Sequence, residues 1–333
     1  MRGHDRAKGA PLHLDAEALD ALGIGAGAAA DAIEAVIAAA VAGRAWAAPK
    51  TALHPPDGRT VMSMIAVADD PPVVAVKALV LNAANAERAL PEINATVLLL
   101  DAATGCALAT LDGNWITATR TAALAMVAGR WLARPDASRA AFVGAGVQAR
   151  ANLRAMAELF PLTGVSVFGR GAVNLRLFQD LAERLGLEVT VVSDAASAVA
   201  GADLVVTSVP QSGAFAPALD PRGLEPGVFV AMVDLGRSWD RAGLAAFDRL
   251  VVDDLAQERA MADPLVPLEC SAGDLCGLVT GAFPGRQEPS ERAAFVSRGH
   301  ALGDLALAAL AWRLHCGQPA QRDPAFSPRS PVP

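Results

Sequence analysis

The chain has 333 residues, a formal net charge of −7, and 53% hydrophobic against 19% charged residues. This composition predicts a globular protein with a large core, built as one large domain or as two domains of ordinary size. The acidic balance, with no block of Lys or Arg, argues against nucleic acid or an anionic membrane as a partner, and no apolar stretch is long enough to predict a transmembrane helix.

The first third of the chain predicts helices with a mixed, mainly antiparallel sheet. Apolar positions recur every three or four residues over 14–43, which predicts one helix that ends near Gly43. Residues 117–134 are alanine-rich and predict a second helix, with Thr117 or Thr119 as its N-cap. Between these helices, strands are predicted over 60–69, 73–82, 95–101 and 106–112.

After Pro135 short apolar runs alternate with helical segments, a pattern that favours a parallel sheet with helices on both faces. Residues 297–315 predict a closing helix, and the proline-rich residues 316–333 predict a disordered tail. The strands of this region are predicted over 140–146, 164–170, 187–192, 202–209, 227–234 and 249–254.

The opening segment "MRGHDRAKGAPLHLD" has no apolar core of the kind that a secretory signal needs. The cysteines lack the spacing of a metal site, and four in a chain of this length are typical of reduced thiols. We therefore expect a cytoplasmic protein without a metal site.

A glycine turn stands between the predicted strand 140–146 and the helix that follows it. In "VGAGVQA" the residues Gly144, Gly146 and Ala149 have the order G-x-G-x-x-A. The first glycine makes the tight turn, the second lets backbone N–H groups approach a pyrophosphate, and the small alanine allows close packing of helix on strand. In this strand–turn–helix context the motif predicts a bound dinucleotide.

The end of the next strand discriminates between dinucleotides. NAD enzymes usually place Asp or Glu there to bind the ribose 2′-hydroxyl, but "VFGRG" has no carboxylate and offers Arg170 to a 2′-phosphate. NADP(H) is therefore favoured and NAD(H) remains possible. The alternative is that Arg170 is an ordinary solvated loop arginine.

Lys77 lies in the middle of the apolar strand sequence "VVAVKALVLN". The chain has only three lysines against 25 arginines, so a lysine at this place predicts chemistry that a guanidinium does not provide. The pKa of an ammonium falls readily on burial, which makes lysine useful for proton transfer. The alternative is a strand lysine whose stem extends to solvent.

With these features in view, the chain resembles the ornithine cyclodeaminase/mu-crystallin family from about Ala47 to Leu314. The most specific segment is 95–134, which contains "LDGNWITATRTAALA"; "VGAGVQA", "GDLCGLVTGAFPGR" and "GHALGDLALAALA" also resemble family segments. The resemblance implies a homodimer, a nicotinamide cofactor and an α/β fold, in which a Rossmann-type doubly wound parallel sheet accompanies a mixed antiparallel α+β domain. The expected domains are 1–118 with 301–320 for substrate binding and dimerisation, and 119–300 for the dinucleotide.

The resemblance also assigns site residues. Lys77 corresponds to the family's catalytic lysine, and Asp234 is a second catalytic candidate whose alternative is a turn carboxylate. The implied substrate-binding residues are Lys50, Met64, Arg120 and Asn85, although Met64 also fits a core position, Asn85 a turn and Arg120 a surface pair. The implied cofactor-binding residues are Arg120, Thr121, Gly144, Gly146, Val147, Gln148, Arg170, Ser208, Val209 and Val233.

Two positions depart from the family pattern. In "APKTAL" Lys50 stands where the family usually has an arginine that binds the substrate carboxylate, and these two cations are not equivalent at a bidentate site. In "AMVDLGRSW" Asp234 takes the place of a family glycine, and Gly236 stands near the usual aspartate position. The first departure suggests a substrate whose anionic group is held differently, or a different substrate, and the second argues against true ornithine cyclodeamination.

Three functions follow from the resemblance. The first is an NAD(P)H-dependent oxidoreductase of imino and amino acids, of the ketimine reductase or amino acid dehydrogenase type, with Lys77 moving the proton. The second is a cyclodeaminase-like lyase that recycles bound NAD and releases ammonia. The third is a non-catalytic NADPH-dependent protein that binds a small ligand, against which the retention of Lys77 in a lysine-poor chain argues.

Overall fold

The computed structural model describes residues 10–210 and 216–318, so most of the predicted tail 316–333 lies outside the described residues. The chain divides into two compact units. Unit 1 contains the described residues up to Arg120 together with those from Ala301 onward, and unit 2 runs from Thr121 to His300. Within the described ranges, no helix is both long enough and apolar enough to cross a membrane.

In chain order, the strands are β1 (Leu12–Leu14), β2 (Ala45–Ala47), β3 (Thr51–Leu53), β4 (Thr60–Asp69), β5 (Pro72–Leu81), β6 (Ile93–Asp101), β7 (Ala107–Asp112), β8 (Arg139–Val143), β9 (Gly164–Phe168), β10 (Glu188–Val191), β11 (Leu204–Thr207), β12 (Phe229–Met232), β13 (Arg249–Val252), β14 (Ser271–Asp274) and β15 (Ala293–Val296). The helices, in the same order, are α1 (Ala16–Ala21), α2 (Ala26–Val41), α3 (Gly113–Leu132), α4 (Val147–Leu159), α5 (Ala172–Arg184), α6 (Ala195–Val199), α7 (Leu255–Ala260), α8 (Leu275–Val279) and α9 (Ala301–His315).

Unit 1 is built on a seven-stranded mixed sheet of order β1-β7-β6-β5-β4-β2, with β3 also paired to β4. Only β1 joins it in parallel, along β7, while the other pairs are antiparallel. Helix α9 packs against α2 and against β4 and β5. Helix α9, which follows unit 2 in the chain, thus completes the core of the unit that the residues before α3 begin.

The side chains of the central strand β5 alternate between two environments, as expected for a strand with one face on a core. Val73, Ala75, Lys77 and Leu79 are buried on the core face. The register of β5 therefore places Lys77 inside unit 1 together with three apolar side chains.

The start of α3 shows why a glycine follows Asp112. A Cβ on Gly113 would lie only 2.5 Å from the carbonyl carbon of Ala95, so a side chain there would prevent the close approach of helix and strand. Asp112 accepts a hydrogen bond from the Trp115 N–H at 2.7 Å and so caps the first turn. The predicted N-cap at Thr117 or Thr119 is therefore wrong, because the helix begins four residues earlier than Thr117.

The prediction of one helix over 14–43 is also wrong. The chain turns between α1 and α2 at Gly23, whose φ of 63° lies in the left-handed region that favours glycine, and Gly25 is the N-cap of α2. The apolar periodicity continues on both sides of this turn, so the pattern alone predicts one uninterrupted helix. The four strands predicted in this unit are confirmed as β4 to β7, each within two residues.

Unit 2 is built on an eight-stranded parallel sheet of order β10-β9-β8-β11-β12-β15-β13-β14. The first five strands of this order follow the doubly wound Rossmann arrangement, in which the first strand of the fold, here β8, lies beside both the second and the fourth. The predicted strands of this region are confirmed as β8 to β13, each ending up to three residues earlier than predicted. The sequence did not predict β15, which lies between β12 and β13.

Candidate active site

Lys77 is fully buried on the core face of β5. Met64 lies directly opposite it on β4 and Val97 opposite it on β6, both buried as well. Its stem is therefore enclosed by apolar side chains on both neighbouring strands, and the side chain does not reach solvent. Removing an ammonium from water into such a site costs free energy unless polar groups bind the ammonium there.

Those polar groups come from α9 and α3. Lys77 Nζ donates a hydrogen bond to Asp304 Oδ1 at 2.6 Å and a longer one to Thr117 Oγ1 at 3.4 Å. The Thr117 hydroxyl donates its own proton to the Gly113 carbonyl at 2.6 Å, which leaves its lone pairs to accept from Lys77. Asp304 lies in the first turn of α9, where the helix dipole favours a negative charge.

Arg120 completes the charged cluster of Lys77, Asp304 and Arg120. Its Nε lies 3.2 Å from Asp304 Oδ1, and its side chain is almost completely buried. Two cations then face one carboxylate, so the cluster carries one net positive charge when Lys77 is protonated. Within the described part of the chain, Asp304 Oδ2 has no hydrogen-bond partner. A buried excess of positive charge is suited to bind a carboxylate.

The surroundings of Lys77 lower its pKa to about 7 from an ordinary value of 10.5. Burial is the largest cause, the Arg120 charge acts in the same direction, and the Asp304 carboxylate opposes both. The charge of Lys50, half-buried between β2 and β3, lowers the pKa further. A pKa near neutrality is what a group needs if it is to give and take protons under ordinary conditions.

Of the predicted substrate-binding residues, the structure brings Met64 and Arg120 to Lys77, and it places Lys50 within electrostatic range. Asn85 has a different position, in a 3₁₀ helix (Ala83–Arg88) that follows β5. Its amide donates to the Pro91 carbonyl at 2.9 Å and accepts from Arg88 at 3.3 Å, so in this structure it holds the loop together.

The predicted dinucleotide turn follows β8 in unit 2. Gly144 has φ 104°, and a Cβ there would lie 2.6 Å from the Ser208 carbonyl oxygen, so this position requires glycine. A Cβ on Gly146 would meet nothing within 4 Å, and this residue caps α4 without any side-chain acceptor. The space beside Gly146 at the N-terminus of α4 is therefore open, which fits the pyrophosphate of a dinucleotide.

Further residues brace this turn. The side chain of Arg150 donates to the Ala145 carbonyl at 2.9 Å and to Asn174 Oδ1 at 3.1 Å, which ties the turn to the start of α5. Ala149 is fully buried, as close packing of α4 on the sheet requires. Arg170 is exposed just beyond the end of β9, the strand beside β8.

Asp234 follows β12 and is almost completely buried. It accepts hydrogen bonds from the Thr207 hydroxyl at 2.9 Å and the Ser238 hydroxyl at 2.6 Å, and the Trp239 indole N–H donates to Thr207 at 3.2 Å. Burial raises the pKa of this carboxyl against the effect of these hydrogen bonds. The geometry thus accounts for Asp234 as a turn carboxylate, and its catalytic role stays a prediction.

The backbone after Asp234 is strained. Leu235 has φ 64°, a left-handed conformation that is rare for a residue other than glycine, and Gly236 follows with φ 73°. Strain of this kind persists where surrounding contacts enforce it, and it concentrates at functional sites. Here the bonds of Asp234 to Thr207 and Ser238 enforce the turn.

The neighbouring strands β8, β11 and β12 end at one edge of the unit 2 sheet, so their terminal residues lie side by side. Thr121 is buried in α3, and Val147 is exposed at the first position of α4. The predicted cofactor residues that this edge brings together are Gly144, Gly146, Gln148, Ser208, Val209 and Val233.

Sequence reasoning missed Asp304, which forms the strongest contact of Lys77. A signal was present, because Asp304 is the only charged residue between Ala301 and Ala311 of an otherwise apolar helix. It also missed Thr207, Ser238 and Trp239 around Asp234, for which no local signal exists, since they are brought together only by the parallel order of β11 and β12.

Comparisons with known proteins identify relatives of this chain. The sequence model of the ornithine cyclodeaminase/mu-crystallin family matches residues 19–313. Ketimine reductase mu-crystallin of Rattus norvegicus is 30% identical over 256 residues, which cover 76% of this chain and 79% of that one. L-lysine cyclodeaminase of Streptomyces rapamycinicus is 34% identical over 228 residues, which cover 65% of this chain and 64% of that one.

A solved structure extends the similarity to the fold. The Δ1-pyrroline-2-carboxylate reductase of Thermococcus litoralis, in complex with NADH and L-proline, matches with a TM-score of 0.84 at 27% sequence identity. The match covers 92% of this chain and 98% of that one, so the similarity includes both compact units.

The network around Asp234 can be tested by Thr207→Val, which keeps the shape of the side chain and removes its hydroxyl. Because Asp234 and the Trp239 N–H each lose a buried partner, we expect unfolding free energy to fall by about 3 kcal/mol. Urea unfolding followed by far-UV circular dichroism measures this loss. Thr190→Val, at an exposed position of β10, is the matched control and should change stability by less than about 0.5 kcal/mol. Equal urea-unfolding midpoints for Thr207→Val and Thr190→Val would contradict the stabilising role of this network.

Proposed function

Because the chain belongs to the ornithine cyclodeaminase/mu-crystallin family, we propose that it is a nicotinamide-dependent oxidoreductase of imino and amino acids. The observation that carries the proposal is the buried cluster of Lys77, Asp304 and Arg120, with its net positive charge and a lysine whose pKa is about 7. The substrate is a small molecule that has a carboxylate beside a C=N or CH–NH group.

Reduction of an imine requires a hydride on carbon and a proton on nitrogen, which together convert C=N into CH–NH. When bound, the nicotinamide supplies that hydride or takes it up in the reverse direction. The proton comes from Lys77 Nζ, whose N–H bond breaks as the new bond to the substrate nitrogen forms. In the reverse direction the neutral amine of Lys77 takes the proton from the substrate nitrogen.

The other residues of unit 1 bind and orient the substrate. Arg120 and Lys50 attract its carboxylate, and burial strengthens this attraction because water does not screen it. Met64, opposite Lys77 on β4, offers a deformable apolar surface to the substrate side chain. Holding the substrate in one orientation lowers the entropic part of the barrier.

In unit 2 the glycine turn and the N-terminus of α4 bind the pyrophosphate of the dinucleotide. Arg170 binds the 2′-phosphate, which makes NADPH the preferred cofactor over NADH. The absence of Asp or Glu in "VFGRG" supports this preference, because no carboxylate there would repel the phosphate.

Cyclodeamination is the second candidate, and the similarity to L-lysine cyclodeaminase favours it. In that reaction the hydride returns to the substrate, so the cofactor shows no net change and ammonia is released. The position of Asp234 weighs against it, because both carboxylate oxygens already accept hydrogen bonds from Thr207 and Ser238.

The proposed function is tested by mixing the protein with NADPH or NADH and a panel of cyclic imines, or of keto acids with ammonia. We expect net loss of reduced-nicotinamide absorbance. The rate of reduction should fall as pH rises through about 7, because Lys77 then loses the proton it must give, and the rate of amine oxidation should rise over the same range.

Ammonia release from diamino acids without any absorbance change would instead establish a cyclodeaminase. Lack of both activities would leave a ligand-binding protein. Lys77→Met, an unbranched apolar replacement, should lower kcat by about 10²- to 10⁴-fold while cofactor affinity stays within a few-fold. Retention of most activity in that variant would contradict the role of Lys77.

Cofactor preference is tested by Arg170→Ala, which removes the guanidinium proposed to bind the 2′-phosphate. Fluorescence titration should show NADPH affinity falling by at least about tenfold, the effect of one lost charge-assisted contact, while NADH affinity hardly changes. Arg184→Ala, in the exposed last turn of α5, is the control and should affect neither cofactor. Equal losses for NADPH and NADH with Arg170→Ala would contradict the assignment.

We also propose that the chain forms a homodimer through the outer face of the unit 1 sheet. An antiparallel sheet that faces water normally carries polar side chains on that face. Here two cross-strand rows of half-buried or exposed apolar side chains cover β4, β5 and β6 instead, which is typical of an interaction surface. The rows are Ile65–Val76–Leu98 and Val67–Val74–Leu100.

A second copy of the chain suits this face because the same patch on two molecules is self-complementary across a two-fold axis. Ile65→Glu places a charge at the most exposed residue of the first row and should convert the dimer to a monomer, as measured by size-exclusion chromatography with light scattering. Val173→Glu, on an exposed position of α5, makes the same kind of change elsewhere and should leave the dimer intact. The same mass for both variants would refute this interface.

A further inference from the structure

The ion pair of Lys77 and Asp304 joins two residues that are 227 positions apart and lie completely or almost completely out of solvent. A buried ion pair rarely adds net stability, because removing both charges from water costs about as much as their attraction returns. Apolar side chains at both positions would fit the rest of the β5 core face and the rest of α9. The pair therefore calls for a functional explanation.

The hydrogen bonds of Lys77 determine which of its N–H bonds can donate to a substrate. An ammonium has three N–H bonds. Within the described residues, Asp304 Oδ1 and Thr117 Oγ1 accept two of them, at 2.6 and 3.4 Å, which leaves one N–H for a substrate nitrogen. Asp304 thus fixes Nζ in a single position and a single orientation.

The charges that face Lys77 come from three elements. Arg120 on α3 and Lys50 between β2 and β3 are cations that disfavour its protonated form, and Asp304 on α9 is the anion that favours it. Without Asp304 a buried ammonium would face two cations and would give up its proton to water before any substrate could take it.

On the basis of the proposed function, we propose that Asp304 is a positioning residue that orients Lys77 Nζ and keeps its proton in place until the substrate nitrogen takes it. The Lys77–Asp304 pair then acts as one acid–base unit. During imine reduction the N–H bond of Lys77 breaks and the proton joins the substrate nitrogen as hydride reaches carbon, while Asp304 holds Nζ in place. In amine oxidation the neutral Lys77 takes that proton back, and Asp304 stabilises the ammonium that results.

The scarcity of lysine allows a direct test in the full chain. Protein labelled with ¹³C-lysine gives signals from only three lysines, and the signal of Lys77 is the one that Lys77→Met removes. In the unmodified protein this signal should titrate near pH 7. In Asp304→Asn, which keeps the shape and removes the charge, the midpoint should move down by at least about one pH unit, since an adjacent opposite charge is lost.

Kinetics separate orientation from charge. In Asp304→Asn the pH at which the rate of imine reduction falls should be lower than in the unmodified enzyme, and it should decrease together with the NMR midpoint of Lys77. Asp304→Glu keeps the charge but displaces it by one methylene. The pH at which the rate falls should then be unchanged, and kcat should fall by about 10-fold or more because Lys77 Nζ is no longer correctly oriented. Asp69→Asn, an exposed change at the end of β4, should alter neither property.

An unchanged Lys77 midpoint in Asp304→Asn would overturn the inference, as would a fall in rate at the same pH in Asp304→Asn and the unmodified enzyme. If Asp304→Asn does not fold, a fall in rate at a different pH in Asp304→Glu would overturn it as well. The NMR midpoint needs no turnover, so it remains informative if the proposed function fails. An active enzyme with an unmoved midpoint would refute the role of Asp304 alone.

Discussion

The ion pair between Lys77 and Asp304 is the interaction on which unit 1 depends. It holds the central strand of the mixed sheet to the first turn of α9, and each partner is buried too deeply to be stable without the other. Loss of one partner from such a pair typically costs about 3–5 kcal/mol, because a bare charge is left in the core. Arg120 adds a second cation to the same carboxylate oxygen. The protein thus maintains a charged group inside an apolar core, and this arrangement gives the lysine a pKa near neutrality.

Unit 2 depends on a different constraint, the close approach of backbones at the carboxyl edge of its sheet. Gly144 touches the segment after β11, and Asp234 binds that same strand through Thr207. Both contacts exist because β8, β11 and β12 are adjacent in the parallel order. The edge that receives the pyrophosphate in the proposed function is therefore shaped by main-chain geometry and by one buried carboxylate.

Much of this fold could be predicted from the sequence. The features that could not be predicted are those that depend on contacts between distant segments, together with one helix break. Strands β4 to β13 follow from apolar periodicity, and the glycine turn follows from spacing, because both signals are local. The break between α1 and α2 was missed, since Gly23 interrupts the helix without interrupting its apolar pattern. The insertion of β15 between β12 and β13, and the pairing of Lys77 with Asp304, depend on contacts between distant segments. A short motif or a propensity carries no information about such contacts.

The return of α9 to unit 1 has a consequence for synthesis on the ribosome. The described strands of unit 2 all lie between Thr121 and His300, so they have emerged before α9 leaves the exit tunnel. Unit 1 starts earlier but lacks Asp304 until α9 has been made, and in the meantime Lys77 does not have its partner carboxylate. The nascent chain therefore completes unit 2 first, and unit 1 stays incomplete until α9 is made.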